Sequence, residues 1–308
     1  MKISAIIPTK NRLQDLIIAF NSISKQSRPP DELIIVDQSS SPISQTIIAS
    51  LRNSLPATSE LNYIYNTCIS GLVEAKHVGV SHASGDILCF FEDDIVLELD
   101  YIYEIELSFL NLASTLGVSG VVTNTPVSSP AYVFFHELFH CGLFKDPRPR
   151  VYSNIMRLNT KFLHTNLIST NLLSGGLSAW KRHVFERVPF DLKSGFHMLE
   201  DKDFSIRVCN EYGPCLFINP SARLTHNFAP AGRDSVGRRE MRKTQEYFIF
   251  YMKHRKRMRD SFCFLWLLLG LLFSSGFVSL NKLSLKPIIG IFLGIINFFK
   301  SSGFPPRQ

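Results

Sequence analysis

From Met1 to Thr123 the chain alternates short apolar runs with segments whose apolar residues recur at helical spacing. Ile3 to Pro8, Leu33 to Asp37, Asn62 to Asn66, Asp86 to Phe91 and Val118 to Thr123 read as strands. Leu13 to Ser24, Ile43 to Leu51, Leu72 to His82 and Tyr101 to Leu112 read as the helices between them. Strand and helix in strict alternation predict an α/β architecture, a mixed but mostly parallel sheet with helices on both faces. Ligands of such sheets sit beyond the carboxyl ends of the strands. The polar residues that close these strands, Thr9 and Asn11, Asp37, Asn66, and Glu92 to Asp94, are therefore expected along one edge.

The strand at Ile87-Leu88-Cys89-Phe90-Phe91 ends in three consecutive carboxylates, Glu92, Asp93 and Asp94. Adjacent acids repel one another, and a divalent cation such as Mg²⁺ or Mn²⁺, which prefers oxygen ligands, compensates them and clamps a diphosphate. The competing reading is a solvated acidic turn. Beyond Thr123, the prolines at 126, 130, 147 and 149 mark residues 124–170 as an irregular insertion. Regular structure resumes with a strand from Ser174 to Trp180 entered through Gly175 and Gly176, then a short helix from Lys181 to Arg187. A helix from Leu199 to Glu211 follows, its first turn carrying Glu200, Asp201 and Asp203 where the helix dipole favours carboxylates. Strands at Cys215 to Asn219 and Ala222 to Thr225 complete a first domain of residues 1–232.

The net charge of +7 is confined to the C-terminal quarter: residues 233–260 carry +6 and residues 261–308 carry +4, which leaves −3 for residues 1–232. A nucleic-acid partner loses its compositional support. Ser261 to Asn281 holds no charge and, at about 1.5 Å per residue, is about 30 Å long, enough to cross a bilayer. Pro287 to Phe299 is a shorter apolar run, read as re-entrant, interfacial or the return half of a hairpin; two buried helices of a soluble domain is the alternative. Residues 233–260 are then a basic juxtamembrane segment that meets anionic lipid, and 261–308 transmembrane or membrane-embedded helices. The N-terminal run is too short for a signal peptide, so the first domain is expected on the cytoplasmic face of the cell membrane. Six scattered cysteines without a CxxC pair indicate reduced thiols and no zinc site.

Six segments in order resemble the family-2 glycosyltransferases, whose nucleotide-sugar-binding fold is called GT-A: Ile6 to Arg12, Leu33 to Ser40, Gly71 to Asp94, Gly175 to Arg182, Leu199 to Asp203, and His226. The resemblance runs from about Lys2 to Arg233. It implies that Pro8, Thr9, Asn11 and Arg12 line the nucleotide pocket and that Asp37 accepts a hydrogen bond from a uracil or thymine imide; a turn role before Ser39 is the alternative for Asp37. Lys76, in a segment where the family usually has Arg-Asn and this chain has Lys76-His77, implies a phosphate contact, against an ordinary solvated helix residue. Asp93 would reach the ribose. Asp94, with Glu92 in place of the family's first Asp, would bind the metal, and His226 would add a ligand or a diphosphate contact unless it is structural.

Asp201 corresponds to the base of the inverting members, with Glu200 an orienting or acceptor-binding neighbour. Gly175 and Gly176 would admit donor sugar or acceptor to the backbone, and Trp180 would stack on a sugar ring or fill the core. Arg233 would close over the diphosphate. The implied activity is inverting, metal-dependent transfer of a sugar from a UDP- or dTDP-linked donor to a hydroxyl of a lipid-linked saccharide, in cell-surface polysaccharide or glycan assembly. Two alternatives stand beside it: a non-catalytic membrane-anchored scaffold that retains the fold, and a sugar nucleotidyltransferase. The latter is disfavoured because Pro8 to Arg12 contains no glycine, and a dinucleotide-dependent oxidoreductase because no GxGxxG turn is present.

Overall fold

The computed structural model describes residues 1–125, 128–146, 167–227 and 234–301. The chain divides into two compact units: Met1–Pro126, Pro147–Leu192 and Glu200–Ala229 form the first, and Val127–Asp146, Lys193–Leu199 and Pro230–Gln308 the second. The expected boundary near residue 232 therefore omits two excursions, Val127–Asp146 and Lys193–Leu199, that belong with the C-terminal residues.

The first unit contains, in chain order, β1 (Ile3–Thr9), α1 (Leu13–Ser24), β2 (Glu32–Asp37), α2 (Gln45–Ser54), β3 (Glu60–Tyr65), α3 (Leu72–His82), β4 (Ile87–Phe90), β5 (Ile95–Leu97), α4 (Tyr101–Asn111) and β6 (Gly117–Val122). The second unit then supplies α5 (Pro130–Phe139), followed by a 3₁₀ turn at Gly142–Phe144. The first unit continues with β7 (Ile168–Thr170), β8 (Ser178–Lys181), α6 (Val184–Arg187), α7 (Glu200–Tyr212) and β9 (Leu216–His226).

Among the described residues these strands form one nine-stranded sheet in the order β3-β2-β1-β4-β8-β6-β9-β5, with β7 also paired to β9. β3, β2, β1 and β4 are mutually parallel, as are β6 and β9; β8 runs antiparallel to both β4 and β6. Successive side chains of a strand point to opposite faces, and the burial follows that period. Ile3, Ala5 and Ile7 of β1, Leu33 and Ile35 of β2, and Ile87 and Cys89 of β4 pack with α1, α2 and α4. Ile6, Ile34, Val36, Leu88 and Phe90 face the other way, against residues of α3, α6 and α7. Covered on both faces, β1 and β2 are buried at every position, which is why they read as unbroken apolar runs.

The segment expected to be irregular contains a helix. Pro130 occupies the first turn of α5, where a missing N–H costs nothing, and the Ser129 hydroxyl accepts from Tyr132 N at 3.2 Å. The rest of the second unit is α8 (Val236–His254), α9 (Met258–Asn281) and α10 (Lys286–Ser301). Tyr251 of α8 stacks on Phe264 of α9 at 4.3 Å, and Trp266 Nε1 of α9 donates to Leu138 O of α5 at 2.7 Å. The basic segment is thus a regular helix followed by a turn, in which the Asp260 carboxylate accepts from the N–H groups of Lys256 and Arg257, each at 2.9 Å. The buried Glu246 of α8 accepts from His197, Met198 and Leu199 N at 3.1, 2.8 and 3.1 Å, gathering three successive amides around one carboxylate. All six cysteines are free.

Candidate functional site

The carboxyl ends of the parallel strands meet as their polarity requires. The register pairs Thr9 with Asp37 and Asp37 with Tyr65, so β1, β2 and β3 end level, and Phe91 N bonds to Ile6 O, which carries β4 out to the same edge. The chain turns there through Glu92, Asp93 and Asp94 into β5, whose antiparallel pairing with β9 sets Ile95 opposite His226. That pairing brings a histidine from the end of the domain onto acids more than a hundred residues earlier.

Its ring makes two contacts: Nε2 lies 2.9 Å from Asp94 Oδ1 and 3.0 Å from Glu92 Oε2. Asn124 fixes the His226 backbone, accepting from His226 N and donating to His226 O, both at 2.9 Å. Arg12 spans Asp93 and Asp94, with Nη1 2.8 Å from Asp93 Oδ1 and Nη2 2.7 Å from Asp94 Oδ2. Asp15, one turn along α1, holds Arg12 Nε at 3.2 Å, and Thr9 Oγ1 donates to Asp93 Oδ2 at 2.8 Å. Asp15 is not among the residues expected at the site, although an Arg at a helix start with an acid three residues on is a legible pair.

The electrostatics follow from this packing. Burial pushes the Asp93 carboxyl up to about 6, even though the Thr9 hydroxyl and the Arg12 guanidinium favour its ionised form. Burial works against a charged His226, yet its contacts with Asp94 and Glu92 prevail and raise the imidazole to about 9. One donor atom each from Glu92, Asp94 and His226 lies within 4.8 Å of the others. Two carboxylates and one imidazole suit Mn²⁺, and the carboxylates alone suit Mg²⁺, so these residues fit a divalent cation.

A second cluster adjoins the first through two consecutive glycines. Glu92 N donates to Gly176 O at 2.9 Å, and a side chain at Gly176 would collide with Glu92. A Cβ at Gly175 would lie 2.5 Å from Glu200 Oε1, 2.8 Å from Lys76 Nζ and 3.3 Å from Asp201 Cβ. A side chain at either position would therefore displace Glu92 or the Lys76–Glu200 pair. Lys76 is 2% exposed and its Nζ lies 3.0 Å from Glu200 Oε1. Lys76 is therefore not an ordinary solvated helix residue, and its ammonium faces the Glu200 carboxylate. Asp201 sits at the start of α7 and its Oδ1 accepts from Lys202 N at 2.7 Å.

At Trp180 and Asp37 the geometry matches the alternatives named for them, a core side chain and a turn. Trp180 is 3% exposed, edge-on to Phe204 at 4.8 Å, with Nε1 donating to Ser178 Oγ at 2.9 Å; it is a core residue and offers no face to a sugar. Asp37 is fully buried and shapes a turn: Oδ1 accepts from Ser39 N at 2.8 Å and Oδ2 from the Tyr63 hydroxyl at 2.7 Å. Asn11, at φ +56°, accepts from Ser40 N at 2.9 Å and its own N–H donates to Ser39 Oγ at 2.7 Å, so it ties the β1 and β2 ends together. Pro8 is buried in register with Val36. Arg233 lies outside the described residues.

Residues 4–187, more than half of the chain, match the sequence profile of glycosyl transferase family 2. A curated relative, the uncharacterized glycosyltransferase YwdF of Bacillus subtilis (strain 168), is 37% identical over 94 residues, 30% of this chain; the match spans 33% of the relative's length. Among solved structures, the mannosyltransferase PcManGT of Pyrobaculum calidifontis in complex with GDP-Man and Mn²⁺ superposes with a TM-score of 0.61 at 16% identity, over 98% of this chain and 88% of that one. TarS 1-349 of S. aureus gives 0.55 at 16% identity, over 97% and 79%. GalNAc-T7 with UDP, GalNAc and Mn²⁺ gives 0.57 at 15% identity, over 76% and 45%. At such identities the likeness shows the fold, which is GT-A.

Proposed function

Because the chain belongs to glycosyl transferase family 2, we propose that it transfers a sugar from a UDP- or dTDP-linked donor to a hydroxyl of a lipid-linked saccharide, with inversion and with a divalent metal. The observation that carries this reading is the junction of two clusters at Gly175 and Gly176: the Glu92, Asp94 and His226 donor set on one side, the start of α7 with Asp201 on the other.

Glu92, Asp94 and His226 would hold the metal, and Mn²⁺ or Mg²⁺ bound there would offset negative charge on a departing nucleoside diphosphate. Arg12 adds a fixed positive charge between Asp93 and Asp94, and Asp93 orients the ribose. Each Asp37 oxygen accepts one internal hydrogen bond and keeps a lone pair with which to accept from a base imide. Asp201 takes the proton of the acceptor hydroxyl as its oxygen bonds to the anomeric carbon and the bond to the diphosphate breaks; attack from the face opposite the leaving group inverts the configuration. The Lys76–Glu200 pair fixes the first turn of α7 and with it Asp201. PcManGT and GalNAc-T7, both with Mn²⁺, and TarS with UDP-GlcNAc support a metal and a nucleotide sugar as partners. α9, a 24-residue helix long and apolar enough to cross a membrane, supports a membrane site of action; for the first unit we propose the cytoplasmic face.

The test is release of nucleoside diphosphate by the purified full-length protein with Mn²⁺ and a panel of UDP-, dTDP- and GDP-sugars, alongside protection against thermal unfolding. Asp201→Asn should leave protection by the donor intact and lower release by about a hundredfold or more. Unchanged release by Asp201→Asn removes the base assignment. Protection by GDP-sugars alone removes the Asp37 contact.

A further inference from the structure

Among the described residues, the second unit leaves large apolar side chains of two helices more than half exposed. On α9, Phe262, Leu265, Phe273 and Phe277 lie on one stripe, and on α10 Phe292 and Phe299 lie on another; these six are 53 to 67% exposed. The opposite faces of both helices are occupied. Gly290 and Gly294 of α10 press against the backbone of α8, where a Cβ at Gly294 would lie 2.5 Å from Met241 O and 2.9 Å from Thr244 Cβ. α9 packs on the same helix through Tyr251 and Phe264, and Ser275 Oγ lies 3.5 Å from Glu240 Oε2.

This attachment decides how the unit meets a bilayer. α8 carries Arg238, Arg239 and Arg242, with side chains 65, 59 and 43% exposed, along the length to which α10 is fastened. A transmembrane hairpin of α9 and α10 would have to draw these guanidinium groups into hydrocarbon or abandon the glycine-mediated packing. Lying in the plane of the membrane requires neither.

We propose that α9 and α10 dock side-on into a single leaflet of an anionic bilayer, with the connection between them, residues 282–285, remaining on the same side as the first unit. This rests on the reading that the protein acts at a membrane and replaces the transmembrane alternative for residues 261–308. Charge selects the occupant. Between Arg255 and Lys300 the chain holds seven Lys or Arg and a single acid, Asp260, and these cations lie at the ends of the apolar helices, the level of lipid headgroups. A second copy of the chain on this face would set like charges together; anionic lipid neutralises them.

Two measurements on the full-length protein test the proposal. In the first, co-sedimentation with phosphatidylcholine vesicles should require added phosphatidylglycerol, weaken with salt, and fall by about tenfold or more in Phe273→Glu/Phe277→Glu. In the second, inverted inner-membrane vesicles from an expression host carry Leu283→Cys, at a position that is 95% exposed, and are treated with an impermeant maleimide. The exposed Cys68 of the first unit is the reference thiol, each site being read by peptide mass. Labelling of both sites before detergent is the expected result. If Cys68 is labelled at once but residue 283 only after detergent, the hairpin spans and the side-on arrangement fails while membrane association stands. If the protein ignores both vesicle types and self-associates in sedimentation equilibrium, the face is a protein interface and both readings fall.

Discussion

Replacing Lys76 by Met should destabilise the first unit more than replacing Lys76 and Glu200 together. The Lys76 and Glu200 side chains are 3 and 11% exposed, and Nζ lies 3.0 Å from Oε1. Lys76→Met leaves the Glu200 carboxylate buried against Gly175 with its cation gone, which for a buried pair costs about 3–5 kcal/mol. In a unit of this size that is a fall of about 6–20 °C in melting temperature. Glu200→Met in the same protein removes the stranded charge, and methionine at both positions fills similar volume, so the double variant should recover about 2–3 kcal/mol of the loss. The chain has two tryptophans, which provides the assay. Trp266 belongs to the second unit and Trp180 to the first, where it touches Phe204 of α7. In a Trp266→Phe background, denaturant unfolding followed by Trp180 emission reports the unit that contains the pair. Additive effects, within about 0.5 kcal/mol, would show that the pair carries no coupling and that Lys76 is free to serve a ligand.

Three further outcomes follow from the geometry. Gly176→Ala should push Glu92 away from His226 and weaken Mn²⁺ binding, read by the electron paramagnetic resonance of free Mn²⁺, by about 10- to 100-fold; unaltered affinity would separate Glu92 from the metal site. Glu32 is buried and accepts from the Ser4 hydroxyl, from Ser84 N at 2.5 Å, from Ser84 Oγ at 2.9 Å and from Gly85 N at 3.1 Å. Burial alone would raise its carboxyl, but these bonds hold it below the ordinary glutamate value. Its stabilisation is therefore complete above the unfolded value of about 4.3 and lost as pH falls through the lower folded value. Glu32→Gln should cost about 1–3 kcal/mol at pH 7 and flatten the acid limb of the stability curve. Glu246→Ala strands the N–H groups of His197, Met198 and Leu199, and faster amide hydrogen exchange at those three residues is expected, with little change in β1.

The parallel half of the sheet is legible because its strands are covered twice: a run such as Leu33-Ile34-Ile35-Val36 has no polar face to break it. β5 and β7 are not legible, since three residues are too few to display a period. At Pro220 the expectation of two strands gives way to one, Leu216–His226. The register against β6 shifts between Ser119 and Val121, and that irregularity accommodates a residue with no N–H to offer. The acids, Arg12 and His226 are recognisable from motif order, but their mutual contacts depend on the β5–β9 pairing, which joins residues far apart in the chain. Lys76 shows the limit most plainly. Its neighbours on α3 mark a helix, whereas its partner, Glu200, lies 124 residues away.

β4 is parallel to β1 on one side and antiparallel to β8 on the other, and the acidic turn grows from its end. It is a seam between two construction styles. Everything before it is a repeating strand-and-helix ladder whose alignment is settled within the first 90 residues, whereas β5, β6, β8 and β9 pair out of chain order. Homologues of this chain should accordingly differ most in length after Val122 and least before Asp94.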